Sequence, residues 1–112
     1  MQPSSFHNQR QSQRVALSLP VQIKIDSQIT LQGQLKDLSS KSAFIKIKGS
    51  TYMQTNDEVG FAIQRSLENA EEHVQGLARI VRIEAGEGIT IYFTKMDETS
   101  TNRLKDLMDV GR

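Results

Sequence analysis

Two arginines, Arg10 and Arg14, stand four residues apart in "RQSQR", directly before a run in which every second residue is apolar. A tail that served only solubility would not need arginine there. Guanidinium is a rigid planar fork. It meets a phosphate, or the N7 and O6 edge of guanine, with two parallel hydrogen bonds, and its face stacks on a purine. Four residues of extended chain span roughly 13 Å, so the pair can straddle a dinucleotide-sized ligand. A second set, "DLSSKS" at residues 37–42, places a carboxylate (Asp37) and a hydroxyl (Ser39) at the end of a strand. Asp37 can accept from the N1 and N2 donors of a guanine, the edge that the arginines leave free. Alone, a D-x-S reads as a turn whose side chains bond their own backbone. Only in combination with the arginines does it point to a ligand.

Other chemistry lacks its partner groups. His7 and His73 are the only histidines, one in a polar tail and one in a charged connection, and no carboxylates are placed to complete a metal site with them. There is no cysteine, hence no disulfide and no thiolate zinc site, as is usual in a reducing cytoplasm. Asp57 with Glu58 and Glu71 with Glu72 are adjacent pairs at turns, where solvated carboxylates are expected rather than a matched acid and base. "KGST" at 48–51 has neither the glycine-rich lead nor the following helix of a phosphate loop. The sequence therefore predicts a protein that is not an enzyme and uses no metal and no cofactor.

The elements that must hold these residues are strands. Val15, Leu17, Leu19, Val21, Ile23 and Ile25 alternate with more polar positions, the period of a half-buried strand, and Pro20 within it predicts an outward position or a bulge. After a turn at Asp26 and Ser27, Ile29, Leu31, Gly33 and Leu35 continue as a hairpin partner. "KDLSSKS" then reads as a loop before a third strand with Ile45 and Ile47 inward. Val59, Phe61 and Ile63 form a fourth, residues 74–83 a fifth, and Ile89, Ile91 and Phe93 a sixth after the turn "EAGEG". Residues 65–73, "RSLENAEEH", read as a long connection. Only the C-terminus has helical spacing, with Leu104, Leu107 and Met108 on one face and Thr99 or Ser100 as the expected cap. Six short antiparallel strands with one face to bury predict a small all-β barrel, whose closure removes exposed edges, with a short C-terminal helix over an open end.

At 112 residues the chain fits one domain. The expected division is a flexible tail over 1–9 and a barrel domain over 10–112. The net charge of +1 hides an asymmetry: residues 1–50 hold seven Lys/Arg against two acids, and residues 51–112 hold seven against eleven. A modest local excess suits a small anionic ligand better than a nucleic-acid backbone, which calls for a broad basic footprint. The first residues lack the apolar stretch of a signal peptide, and no run approaches the length of a membrane helix. The expectation is a cytoplasmic protein without a membrane partner.

"RQSQRVALSLPVQI" at 10–23, "GQLKDLSSKSAFIKI" at 33–47 and "GITIYFTKMDETSTNRLKDLM" at 88–108 resemble the PilZ domain, a bacterial receptor module for cyclic di-GMP. The resemblance runs from about Arg10 to Met108. It implies a six-stranded antiparallel barrel with a C-terminal helix, an R-x-x-x-R before the first strand and a [D/N]-x-S-x-x-G that ends the second. Arg10 and Arg14 match the first motif, and Asp37 and Ser39 open the second. The motif's glycine falls on Ser42. If that position needs a positive φ or a close approach of ligand to backbone, serine costs on the order of 1 kcal/mol there.

The implied site for cyclic di-GMP is thus Arg10, Arg14, Asp37, Ser39 and Ser42. The implied function is an effector whose arginine tail orders on the ligand and passes the signal to a protein partner that the sequence does not identify. Two alternatives stand beside it: a degenerate PilZ-like module that binds only protein, with Ser42 as its supporting feature, and a barrel for single-stranded nucleic acid. The latter would need stacking aromatics on an exposed groove. The chain has only two Tyr and four Phe, and by phase Phe61 and Phe93 belong inside.

Overall fold

The computed structural model describes residues 14–65 and 73–110. Among them are six strands: β1 (Val15–Lys24), β2 (Thr30–Leu38), β3 (Ser42–Ile47), β4 (Glu58–Gln64), β5 (His73–Glu84) and β6 (Gly88–Met96). They pair antiparallel and close into a barrel in the order β1-β2-β3-β6-β5-β4, with β4 returning to β1. One helix, α1 (Glu98–Val110), follows. The six-stranded barrel and terminal helix expected from the alternation are what the chain forms. Among the described residues no helix is long and apolar enough to cross a membrane.

The period-two pattern explains the core. Val21 and Ile23 of β1, Ala43, Ile45 and Ile47 of β3, and Val59, Phe61 and Ile63 of β4 all point inward and are buried, with Ile80, Ile89 and Ile91 closing the far wall. Phe61 and Phe93 meet at 4.9 Å between ring centroids, with Phe93 only partly buried. At the turn after β1, Asp26 Oδ1 accepts from Gln28 N at 2.7 Å and Ile29 N at 2.9 Å. This aspartate turn fixes the β1–β2 hairpin. Pro20 pairs with Gln34 on the β2 side, whereas pairing with β4 begins only at Val21. The proline therefore stands just outside the β4 ladder, beside a bulge between Ala16 and Leu19, and its missing donor is not needed there.

Three details differ from the sequence-based expectation. First, β2 does not stop at Leu35. It passes through a bulge between Leu35 and Asp37 and runs to Leu38, so only residues 39–41 of "KDLSSKS" connect the strands. Second, His73 begins β5 instead of lying in a connection, and its carbonyl accepts from Arg103 Nη1 at 2.9 Å; residues 66–72, including Glu71 and Glu72, lie outside the described residues. Third, neither Thr99 nor Ser100 caps α1. Asp97 does: its Oδ1 accepts from Ser100 N at 2.8 Å, and its carbonyl accepts from Thr101 N at 2.9 Å. Ser100 is buried in the first turn, where its Oγ accepts from Gln75 N at 3.1 Å. A carboxylate at this position also complements the helix dipole. The helix docks along β5, with Leu104 and Leu107 in the core and Met108 packed against it.

Candidate functional site

The bulge in β2 builds the site. Before it, Leu35 is inside, opposite Ile45. Continued alternation would drive Asp37 into the apolar interior and Leu38 into solvent. With one extra residue, Lys36, Leu38 pairs with buried Ala43 and Val15, while Asp37 pairs with the outward-phase residues Phe44 and Ala16. Burial thereby changes sign in favour of both side chains, since a carboxylate left unpaired in the core is far costlier than a bulge.

Arg14, immediately before β1, reaches this outward Asp37. Its Nε donates to Asp37 Oδ1 at 2.7 Å, its Nη2 lies 2.5 Å from the same oxygen, and its Nη1 donates to Ser42 Oγ at 2.8 Å. The Arg14 and Asp37 side chains keep 38% and 35% exposure, so the cluster is open to solvent. Nε and Nη1 thus donate to the protein, and Nη2 is ion-paired with Asp37. The flat face of the guanidinium and Asp37 Oδ2 are not used by these contacts.

Ser39 is buried and does a different job. Its Oγ accepts from Ser42 N at 3.0 Å and from Lys41 N at 3.3 Å and lies 3.1 Å from Ser42 Oγ, while Ser39 N donates to Ser42 O at 2.8 Å. These bonds close the three-residue connection into a tight turn and place the Ser42 hydroxyl against Arg14. Ser42 itself starts β3 opposite Tyr92. Among the described residues, Asn56 is the only non-glycine with positive φ. The glycine-like backbone considered for position 42 is therefore absent, and serine is unstrained there. Arg10 lies outside the described residues, as does His7.

Sequence reasoning missed the wall of the site. A groove of about 430 Å³ beside Arg14 and Asp37 is lined also by Phe44, Thr90, Glu84 and Glu87. Phe44 and Thr90 are cross-strand neighbours, and the two glutamates flank the β5–β6 turn. Glu84 Oε2 lies 3.5 Å from Arg82 Nε, a contact that partly offsets its charge. The order β3-β6-β5 brings this turn beside β2, and no local pattern in the chain discloses that. Counted over these lining residues, Arg14 faces three carboxylates, which is unfavourable for a dianion unless further cations join. No group of His, Asp or Glu among the described residues is arranged to hold a metal ion.

Comparison with known proteins bears on this arrangement. A family model described as the PilZ domain matches residues 8–109. No curated protein sequence matches. Among solved structures, the chain is similar to the PilZ domain with c-di-GMP of YcgR from Escherichia coli, at a TM-score of 0.71 and 14% identity, covering 88% of each chain. It is similar to the PilZ domain of CeSA from a cellulose-synthesizing bacterium, at a TM-score of 0.67 and 21% identity, over 89% of this chain and 99% of that one. It is similar also to the inhibitor of motility MotI/DgrA of Bacillus subtilis, at 0.71 and 14%, over 87% of this chain and 48% of that one. The chain thus spans about half the length of the MotI chain.

Proposed function

The chain belongs to the PilZ domain family, and from that premise we propose that it is a non-enzymatic receptor for cyclic di-GMP acting in the cytoplasm. The observation that carries the reading is the Arg14–Asp37–Ser42 cluster at the mouth of the groove. In this reading the guanidinium, held in plane by Asp37 and Ser42, is a shelf on which one guanine stacks, and Asp37 Oδ2 accepts from that guanine's N1 and N2. Ser39 is a positioning residue that shapes the turn.

The acidic wall explains why one arginine is not enough. Arg10, within roughly 13 Å of Arg14 along an extended chain, supplies the second cation that the ligand's phosphates require. Ordering of the segment that carries Arg10 is the event passed to a protein partner. The test is calorimetry with cyclic di-GMP, cyclic di-AMP and GTP. The reading expects cyclic di-GMP to bind best, with each lost bidentate contact costing roughly 1–3 kcal/mol. Equal affinity for both dinucleotides, or none for either, refutes it.

A second reading has its own observation. Nε, Nη1 and Nη2 of Arg14 each already contact Asp37 or Ser42. A module that only binds protein would keep this clasp shut. In that case the same titrations give no heat for any nucleotide while the barrel remains folded.

A further inference from the structure

A concavity of about 620 Å³, larger than the groove beside Arg14, lies on the outer wall of the barrel at the other end of β1. Strand register defines it. Lys24 pairs with Gly60, Gly60 with Leu77 and Leu77 with Lys95, so these four residues form one outward row across β1, β4, β5 and β6. The next row holds Gln22, Ala62 and Gln75. In these two rows the outward residues of β4 are glycine and alanine between strands bearing long side chains, and the result is a trench with an apolar floor. Lys24 and Lys95 stand on its two sides, roughly 14 Å apart along the wall by strand spacing. Both are exposed, and among the described residues neither ammonium group has a hydrogen-bond or ion-pair partner. Asp97 closes one end, with Oδ1 already accepting from Ser100 N.

Gly60 is the telling residue. The fold demands glycine where a Cβ would strike backbone, as at Gly76 and Gly88, where an added Cβ would fall 2.1 Å from the carbonyl oxygens of Lys95 and Ile45. At Gly60 a Cβ would meet only ordinary contacts, the nearest 3.4 Å away at Lys24 Cβ, and its φ is not in the left-handed region. Glycine within a strand is less stable than alanine, so its presence here is not accounted for by folding. It is accounted for by the trench, which a side chain would fill.

We propose that this trench docks an acidic segment of the protein partner, seating an apolar side chain over Gly60 and Ala62 while flanking carboxylates meet Lys24 and Lys95. The choice of occupant rests on charge complementarity: two unpartnered ammonium groups border an apolar floor, and a closed barrel offers no strand edge for backbone pairing. Purpose, though not test, rests on the receptor reading. β1 links the sites, with Arg14 before its first residue and Gln22 and Lys24 walling the trench about 25–30 Å away.

The experiment uses the full chain and a short acetylated peptide in which leucine alternates with glutamate, with lysine-for-glutamate and serine-for-leucine versions as counterparts. In ¹H–¹⁵N spectra the acidic peptide is expected to shift the amides of Gly60, Ala62, Gln75, Leu77 and Lys95 and leave those of Asp37 to Ser42 in place. Both counterparts should bind at least about tenfold more weakly. Gly60→Leu, verified as folded by circular dichroism, should abolish the shifts; Gly60→Ala should weaken them; and the Lys24→Glu/Lys95→Glu double variant should prefer the basic peptide. Shifts elsewhere or none at all, equal binding of the counterparts, or undiminished binding by Gly60→Leu overturns the assignment. Cyclic di-GMP calorimetry on Gly60→Leu should match the parent, so failure of the trench and failure of the nucleotide reading give different results.

Discussion

Replacing Ser42 by alanine and, separately, by glycine distinguishes two accounts of the residue that departs from the family motif. Ser42 has no left-handed backbone to relieve, so added backbone freedom should bring nothing to binding. What its side chain contributes is an acceptor for Arg14 Nη1 at 2.8 Å. A charge-assisted hydrogen bond is worth more than a neutral one, but at 38% exposure for Arg14 solvent screening lowers it to about 0.5–1 kcal/mol. Asp37 still holds Nε and Nη2 once the hydroxyl is gone, and Ser39 Oγ still accepts from Ser42 N, so the turn and the shelf should persist. The freed Nη1 becomes available to ligand. Ser42→Ala and Ser42→Gly are therefore expected to tighten cyclic di-GMP binding equally, by about two- to fivefold in calorimetry. In thermal melts Ser42→Gly alone should lose a further ~0.5–1 kcal/mol, the cost of glycine in a strand. If glycine tightens binding and alanine does not, backbone freedom is the operative property and the hydroxyl-clasp argument is wrong. If both bind as the parent does, the Arg14–Ser42 contact does not compete with ligand at all.

Three further outcomes follow from the same geometry. Arg14→Ala removes charge, plane and fork together and should abolish cyclic di-GMP binding; because an exposed ion pair contributes at most about 1 kcal/mol, its circular dichroism should stay that of the parent. Glu87→Gln removes one carboxylate facing the ligand and should tighten binding about twofold at low ionic strength, from ~0.5 kcal/mol for a separation of roughly 8 Å in water, with the gain fading as salt is raised; an unchanged or weakened affinity places the ligand away from the β5–β6 turn. Asp97→Ala removes the cap of α1 and should cost about 1 kcal/mol in denaturant titrations without altering nucleotide affinity.

Most of the barrel was legible because its inward residues obey one period for long stretches. From Val15 to Ile25 and again from Val59 to Ile63, alternation alone identifies the inward side, buried at Val15, Val21, Ile23, Val59, Phe61 and Ile63 and partly buried at Leu17, Leu19 and Ile25. What was not legible is where the phase slips, and the candidate site sits at one of the slips. Strict alternation from Ile29 through Leu35 assigns position 37 to the interior, so the extent of β2 was misjudged by ending it there. The sequence did hold the signal, since an aspartate on an inward phase followed directly by a leucine on the outward one implies an inserted residue. The cap was misjudged for a similar reason: Thr99 and Ser100 are good capping residues, but tertiary structure uses the Ser100 hydroxyl for Gln75 and leaves the cap to Asp97. The acidic wall had no local signal at all, because Glu84 and Glu87 meet Arg14 only through the β3-β6-β5 order of the closed barrel. Motif residues were found by type and spacing, which are properties of the chain; their surroundings depend on which strands become neighbours, which is a property of the closure. The contrast between Arg14 and Glu87 gives this a physical consequence. Arg14→Ala tests what the motif supplies and Glu87→Gln what the closure adds. An affinity that responds to the first and ignores the second would mean that recognition is confined to the bulge and the turn after it.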